Sequence, residues 1–294
     1  MSATEPTAPT ISIHPETRMG ATRLTVSDLG RSRAFYEQAV GLRASELEDG
    51  GVALGAEPSE PLVELYGDPT APALNRRATG LFHLAILLPS RRDLALALVR
   101  LAQARWPLDG ASDHLVSEAL YLSDPDGNGI EIYRDRPRSD WPQAGGRLEM
   151  ATLPLDLDDV LGELSSEDGF QALAPAGTTM GHVHLQVADL ADSEAFYSGV
   201  LGFDVMVRVY PGALFVSAGG YHHHIGMNIW NSRGAGPPSR GSVGLRSFEA
   251  VVPSIEELER VLARADAAGI AVENTDTGAL MRDPSGNGVI LRAA

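Results

Sequence analysis

The chain repeats itself, which restricts it to folds that can be assembled from copies of one unit. Residues 22–43 (TRLTVSDLGRSRAFYEQAVGLR) align without a gap on residues 183–204 (VHLQVADLADSEAFYSGVLGFD), matching Asp28 with Asp189, Tyr36 with Tyr197 and Gly41 with Gly202. A second pair, Asp124-Pro125-Asp126-Gly127-Asn128-Gly129 and Asp283-Pro284-Ser285-Gly286-Asn287-Gly288, opens a short apolar strand each time. The chain therefore reads as four similar modules. They differ where chemistry would sit: His83, Glu131 and His182 in one pair stand against Ala21, Ser247 and Ile290 in the other. That asymmetry points to a single metal site.

Composition narrows the function classes. At 294 residues the chain can hold two globular units with ample core. With 39 Asp and Glu against 23 Lys and Arg, a formal charge of -16 opposes binding to polyphosphate, so nucleic acid is not an expected partner. There is no cysteine, so any metal must be held by His and carboxylate. The polar, Pro-rich start carries no signal-like segment and no stretch has the length of a membrane span, which makes a cytoplasmic location and no membrane partner the expectation.

Residues 1–18 read as a loose arm, with the first strand beginning near Ala21. A helix starts at Asp28 or Ser32 and runs to about Val40, where Gly41 ends it, and strands at about 51–55 and 61–66 complete a βαβββ unit. The second module repeats this from Leu81, with a helix at 91–104. Segment 136–180 reads as a linker with one short helix. The third module runs from Gly181 to about Trp230, and the fourth from Val243 to the end, with an amphipathic helix at 254–268. The DP-x-GNG turn joins strand to strand and is a hairpin connector, not a phosphate loop.

The four modules, the [VA]-x-D-L…AFY…GL/GF signature and the DP-x-GNG turn resemble the vicinal oxygen chelate superfamily of glyoxalases, bleomycin-resistance proteins and type I extradiol dioxygenases. The resemblance covers nearly the whole chain. GLFHLAILLP, SEALYLSDPDGNGIEIYRDRPRSDW and FVSAGGYHHHIGMNIW are more specifically similar to the catechol 2,3-dioxygenase subgroup. It implies an α+β fold in which four βαβββ modules form two cupped mixed β-sheet domains, expected at 20–135 (modules one and two) and 181–294 (modules three and four).

In that superfamily a metal is held by the first and last strands of modules. The matching positions are Ala21 and Glu64 in module one, His83 and Glu131 in module two, His182 and Asn228 in module three, and Ser247 and Ile290 in module four. Modules two and three together supply two His and one Glu, the facial triad suited to Fe(II), with another divalent ion such as Mn as a second choice. This reading requires a cup between modules two and three. If modules pair in sequence order instead, the set is His83, Glu131 and Glu64, a glyoxalase-like site.

The resemblance also marks the surroundings. Tyr121, ten residues before Glu131, matches the active-site Tyr of extradiol enzymes, and His114 matches their second pocket His. Tyr221-His222-His223-His224 resembles the His-rich entry that holds the acid-base residue. Counting in twos from Asn228 puts Gly226, His224 and His222 on the metal-facing side and His223 outside, unless a bulge intervenes. His224 is the first choice. Trp106, Trp141 and Trp230 read as packing residues.

The function implied is an Fe(II)-dependent extradiol dioxygenase that opens a small aromatic diol with dioxygen, giving a semialdehyde, and a homo-oligomer is compatible with this. Leu81, Phe82, Phe215 and Tyr221 are expected around the cup, and with the acidic chain they favour a small, uncharged catechol. The enzymatic rival is a glyoxalase-type isomerase or lyase with a redox-inert divalent ion. The non-enzymatic rival is a bleomycin-resistance-like sequestering protein.

Overall fold

The computed structural model describes residues 11–145 and 147–294. The repeated signature residues turn out to be scaffold. Asp28 caps helix Leu29–Phe35 by accepting from the Arg31 backbone N–H at 2.9 Å, and Asp189 caps Leu190–Glu194 in the same way. Each helix then widens into a π-helical turn, Tyr36–Val40 and Ala195–Val200, where the expectation was one α-helix to Val40. The wide turn closes when the N–H of Leu42 reaches the Tyr36 carbonyl, and that of Phe203 the Tyr197 carbonyl, each at 3.0 Å. Gly41, at φ 86°, supplies the left-handed step this closure needs.

The paired Tyr residues latch one module to the next. Tyr36 is fully buried with its hydroxyl 3.5 Å from the Asp124 carboxylate, and Tyr197 donates to Asp283 at 3.0 Å. Asp124 in turn accepts from the backbone N–H groups of Asp126 and Asn128 and from the Asn128 amide, which folds DPDGNG on itself. Asp283 repeats the arrangement. Helices Arg91–Gln103, Leu157–Leu161 and Ile255–Ala267 fall close to where the sequence puts them. Part of the expected loose arm, residues 1–10, lies outside the described residues. The rest is docked: Ile13 is buried and its N–H donates to the Gly202 carbonyl at 2.7 Å.

Strand pairing does not follow chain order. One sheet has nine strands, in the order Leu153–Pro154, Gly110–Asp113, Ser117–Ser123, Gly129–Asp135, Gly80–Leu88, Thr179–Gln186, Ile225–Asn228, Ala213–Ser217 and Asp204–Val207. Its centre is the antiparallel pair Gly80–Leu88 and Thr179–Gln186, so module two is joined to module three. The other sheet joins modules one and four through Arg18–Val26 and Gly244–Val252. Blocks 20–135 and 181–294 thus each give one module to each sheet. One apolar cluster runs through both sheets, including Leu24, Phe35, Leu84, Ile132, Phe203 and Phe248. Among the described residues no helix is long and apolar enough to cross a membrane.

The cup of the one-and-four sheet is filled by ions. Arg23 donates through Nε to Glu64 and through Nη2 to Glu249, both at 2.7 Å, and Arg292 reaches Glu249 at 3.0 Å. Arg23, Glu64 and Glu249 are all buried. Removing one member of a buried ion cluster strands the opposite charge, which costs about 3–5 kcal/mol. Glu249→Ala is therefore expected to lower the urea-unfolding free energy by about 3 kcal/mol. A loss below about 1 kcal/mol, the range of surface pairs, would show that water screens the network.

Candidate metal centre

Strand register brings the predicted ligands together. His182, Ala85 and Glu131 are Cα partners in one row across three adjacent strands, and His184, His83 and Gly129 form the next row. Side chains of the two rows share a face, because residues two apart on a strand do. The small Ala85 leaves a gap that His182 and Glu131 fill from either side. Glu131 Oε2 lies 3.0 Å from His83 Nε2 and 3.1 Å from His182 Nε2, and one ligand atom from each of the three residues lies within 4.8 Å of the others. A bulge at Gly181 sets this register: a Cβ there would come 1.8 Å from the Tyr133 hydroxyl, so only glycine fits.

All three residues are buried. Burial alone would push the Glu131 carboxyl up, but the two imidazoles beside it hold it well below the usual carboxylate range. Burial pushes His182 down to about 4, so its imidazole is neutral at pH 7. An anionic carboxylate beside the uncharged His182 imidazole is the protonation state that metal ligands require. His83 Nε2 is buried and, although 3.0 Å from Glu131 Oε2, makes no well-angled hydrogen bond among the described residues, so it is an atom a cation would satisfy. Two nitrogens and one carboxylate oxygen suit Fe(II), and the residues present fit such an ion.

Register corrects one assignment. Gly226, not Asn228, is paired with His184 and so occupies the position of Glu131 in module three; Asn228 lies opposite Gln186. The Asn228 amide donates to His184 Nε2 at 3.0 Å, since its carbonyl already accepts from the Trp230 N–H. Glu64, the carboxylate of the sequential-pairing alternative, belongs to the other sheet and is bound to Arg23.

Beside His83 and Glu131 lies a cavity of about 230 Å³. Phe82, Phe215 and Trp230 form an aromatic wall with His184. Trp230 is thus more than packing, since it lines the cavity and is partly exposed. Leu81 and Tyr221 are not in this wall: Leu81 lines a separate cleft and Tyr221 turns to Asp135. On the opposite side, His114 Nδ1 must donate to the Ala151 carbonyl, at 2.7 Å, which leaves its Nε2 to accept the Tyr121 hydroxyl at 2.6 Å. Burial first, and Glu131 second, push the Tyr121 phenol well above its usual range.

The His tract departs from strict alternation. Strand Ile225–Asn228 starts only at Ile225, and the chain bends at His222 and at His224. The bends turn His224 away from the cavity, where its Nδ1 accepts the Ala218 N–H at 3.1 Å; burial takes it down to about 3. His223 instead lines the cavity, with its ring 4.1 Å from that of His182. His224 is thus displaced by His223 as the cavity imidazole. His222 is fully buried behind it, its Nε2 2.8 Å from Asp135. Trp106 and Trp141 donate to the carbonyls of Ser123 and Arg136, as packing residues do.

Comparison with known proteins adds four findings. Residues 18–132 and 179–291 match the family model described as Glyoxalase/Bleomycin resistance protein/Dioxygenase superfamily. The chain is 45% identical over 277 residues to the catechol-2,3-dioxygenase of Bacillus subtilis (strain 168), covering 93% of this chain and 96% of that one. Among solved structures, glyoxalase I from Zea mays superposes with a TM-score of 0.57 at 17% identity, covering 94% of this chain and 92% of that one. The cppA protein from Streptococcus pneumoniae TIGR4 gives 0.54 at 10% identity, with 94% and 98% covered. At these identities the two structures speak for the fold alone.

Proposed function

Because the chain belongs to the glyoxalase/bleomycin resistance protein/dioxygenase superfamily, we propose that it is an extradiol dioxygenase that opens a small catechol with dioxygen. The carrying observation is the buried His83–Glu131–His182 cluster opening on an aromatic cavity. His83, Glu131 and His182 would hold Fe(II), which when bound supplies the electron sharing that lets a diol and dioxygen react at one centre.

The chain's own residues supply the rest. Phe82, Phe215 and Trp230 pack the faces of the ring and exclude water. Tyr121, whose hydroxyl proton is committed to His114, offers its oxygen lone pairs as an acceptor for a diol O–H. His223 carries the acid-base role: burial, and then the neighbouring imidazoles, push it well below the usual range, so it is a neutral base ready to take a phenolic proton. The glyoxalase reading is disfavoured because its second carboxylate, Glu64, is tied to Arg23 in the other sheet. A sequestering protein has no use for a buried two-His, one-Glu cluster.

Anaerobically purified, Fe(II)-loaded protein mixed with catechol and air should yield a yellow ring-fission product. The cavity of about 230 Å³ lies below the usual range of about 300–1,000 Å³ for ligand sites. Catechol and methylcatechols are therefore expected to outpace two-ring diols and the carboxylated protocatechuate at equal iron loading. No product from any catechol would overturn the assignment, and faster turnover of two-ring diols would overturn the size argument. Reloading with Mn(II) in parallel separates the two candidate ions.

A further inference from the structure

Behind the cavity, one carboxylate anchors a directed chain of hydrogen bonds. Asp135 lies on strand Gly129–Asp135, two and four residues beyond Tyr133 and Glu131, and so shares their face. Its Oδ1 is 2.8 Å from His222 Nε2, and its Oδ2 accepts the Tyr221 hydroxyl at 2.8 Å. Tyr221 has spent its single proton there, so Tyr133, 2.8 Å away, must donate to it. On the other branch, His222 Nδ1 is 2.8 Å from His223 Nδ1. His222 is engaged through both nitrogens, so exchanging ring nitrogens for carbons would lose both bonds.

An ionised carboxylate only accepts. His222 must then carry its proton on Nε2, and when each ring holds one proton its Nδ1 is the acceptor for His223 Nδ1–H. His223 Nε2 is left as a lone pair with no hydrogen-bond partner among the described residues, on a ring that lines the cavity. We propose that Asp135 is a positioning residue which, through His222, fixes the tautomer of His223 so that a free Nε2 serves the cavity. The proposal rests on the dioxygenase reading for the reaction it assists, while the hydrogen-bond order stands apart from it.

The test is the imidazole tautomer read by ¹⁵N NMR on the full chain labelled at His, both metal-free and loaded with diamagnetic Zn(II), with His223→Asn assigning the signal. The wild type should show His223 protonated at Nδ1. In Asp135→Asn an amide N–H can face His222 and reverse the chain, so His223 should move to the Nε2–H form. Replacing an orienting carboxylate with its amide costs about 10⁴ in rate in a Ser-His-Asp triad. With one more residue in the relay, kcat should fall about 10²-fold, while KM and iron content stay within about twofold. A merely structural role would move KM and iron content too. Tyr221→Phe leaves the carboxylate in place and should keep the wild-type tautomer.

A wild-type His223 found in the Nε2–H form, or an Asn variant that keeps Nδ1–H, would overturn the proposal. Should the Asn variant fail to fold, the wild-type and Tyr221→Phe spectra decide. A protein with the expected tautomer that cleaves no catechol would overturn the dioxygenase reading and leave this inference standing.

Discussion

Replacing Glu131 with Ala should leave the chain folded and nearly free of iron. Glu131 is the anion of a cluster whose other members are imidazoles, and it lies within 3.1 Å of both. Without it a divalent ion would enter a buried site with no compensating charge, a penalty that two neutral nitrogens cannot offset. Loss of groups that merely orient a ligand typically costs 10–100-fold in metal affinity, so loss of the ligand should exceed about 10²-fold. Folding should suffer less, because the deletion leaves imidazole nitrogens without a partner, at about 1–3 kcal/mol for an unsatisfied buried polar group. Metal analysis after gel filtration, with urea unfolding of the metal-free forms, separates the two effects. One equivalent of iron retained by Glu131→Ala would mean that the cluster is not the metal site. Two equivalents in the wild type would contradict the ion-filled second cup.

His223→Phe should keep iron and slow ring opening by about 10²–10⁴, the range for a positioned acid-base group. His224→Phe at equal iron content should change turnover much less. The contrast follows from the bend at His224: the ring of His223 lines the cavity, whereas His224 is turned to the Ala218 N–H and the Ser217 hydroxyl. The opposite pattern, with turnover lost in His224→Phe and kept in His223→Phe, would restore strict strand alternation as the guide to this segment. Comparable losses in both, without loss of iron, would remove His223 from its special role.

Much of the frame was legible because it depends on near neighbours in the chain. Asp28 and Asp189 cap helices three residues away, and Asp124 and Asp283 bond backbone within their own six-residue turns. Helix Ile255–Ala267 announces itself by its apolar period, and the structure adds the caps Ser90 and Ser254 at the starts of Arg91–Gln103 and Ile255–Ala267. Strand Arg43–Glu46 gave no such sign, since three of its four residues are exposed at a sheet edge and carry no apolar alternation.

The residue types of the site were legible too: two His and a Glu in one module pair, with apolar or inert counterparts in the other, identify His83, Glu131 and His182 from the sequence. Other features required the folded chain. That module two pairs with module three is decided by the long-range strand pair Gly80–Leu88 and Thr179–Gln186, and the true partner of His184 by a register that counting from Asn228 misses by two residues. Period-2 arguments hold only while the chain stays extended, and the bends before Ile225 hand the cavity to His223. The link from Asp135 to His222 spans 87 positions in sequence. The sequence by itself determined the modules, their turns, and the residue types that meet in the buried His83–Glu131–His182 cluster, because those follow from local hydrogen bonding and from donor chemistry. Only the tertiary structure decided which imidazole faces the cavity and which carboxylate lies against His222 behind it, because those depend on strand register and backbone bends fixed by contacts distant in the chain.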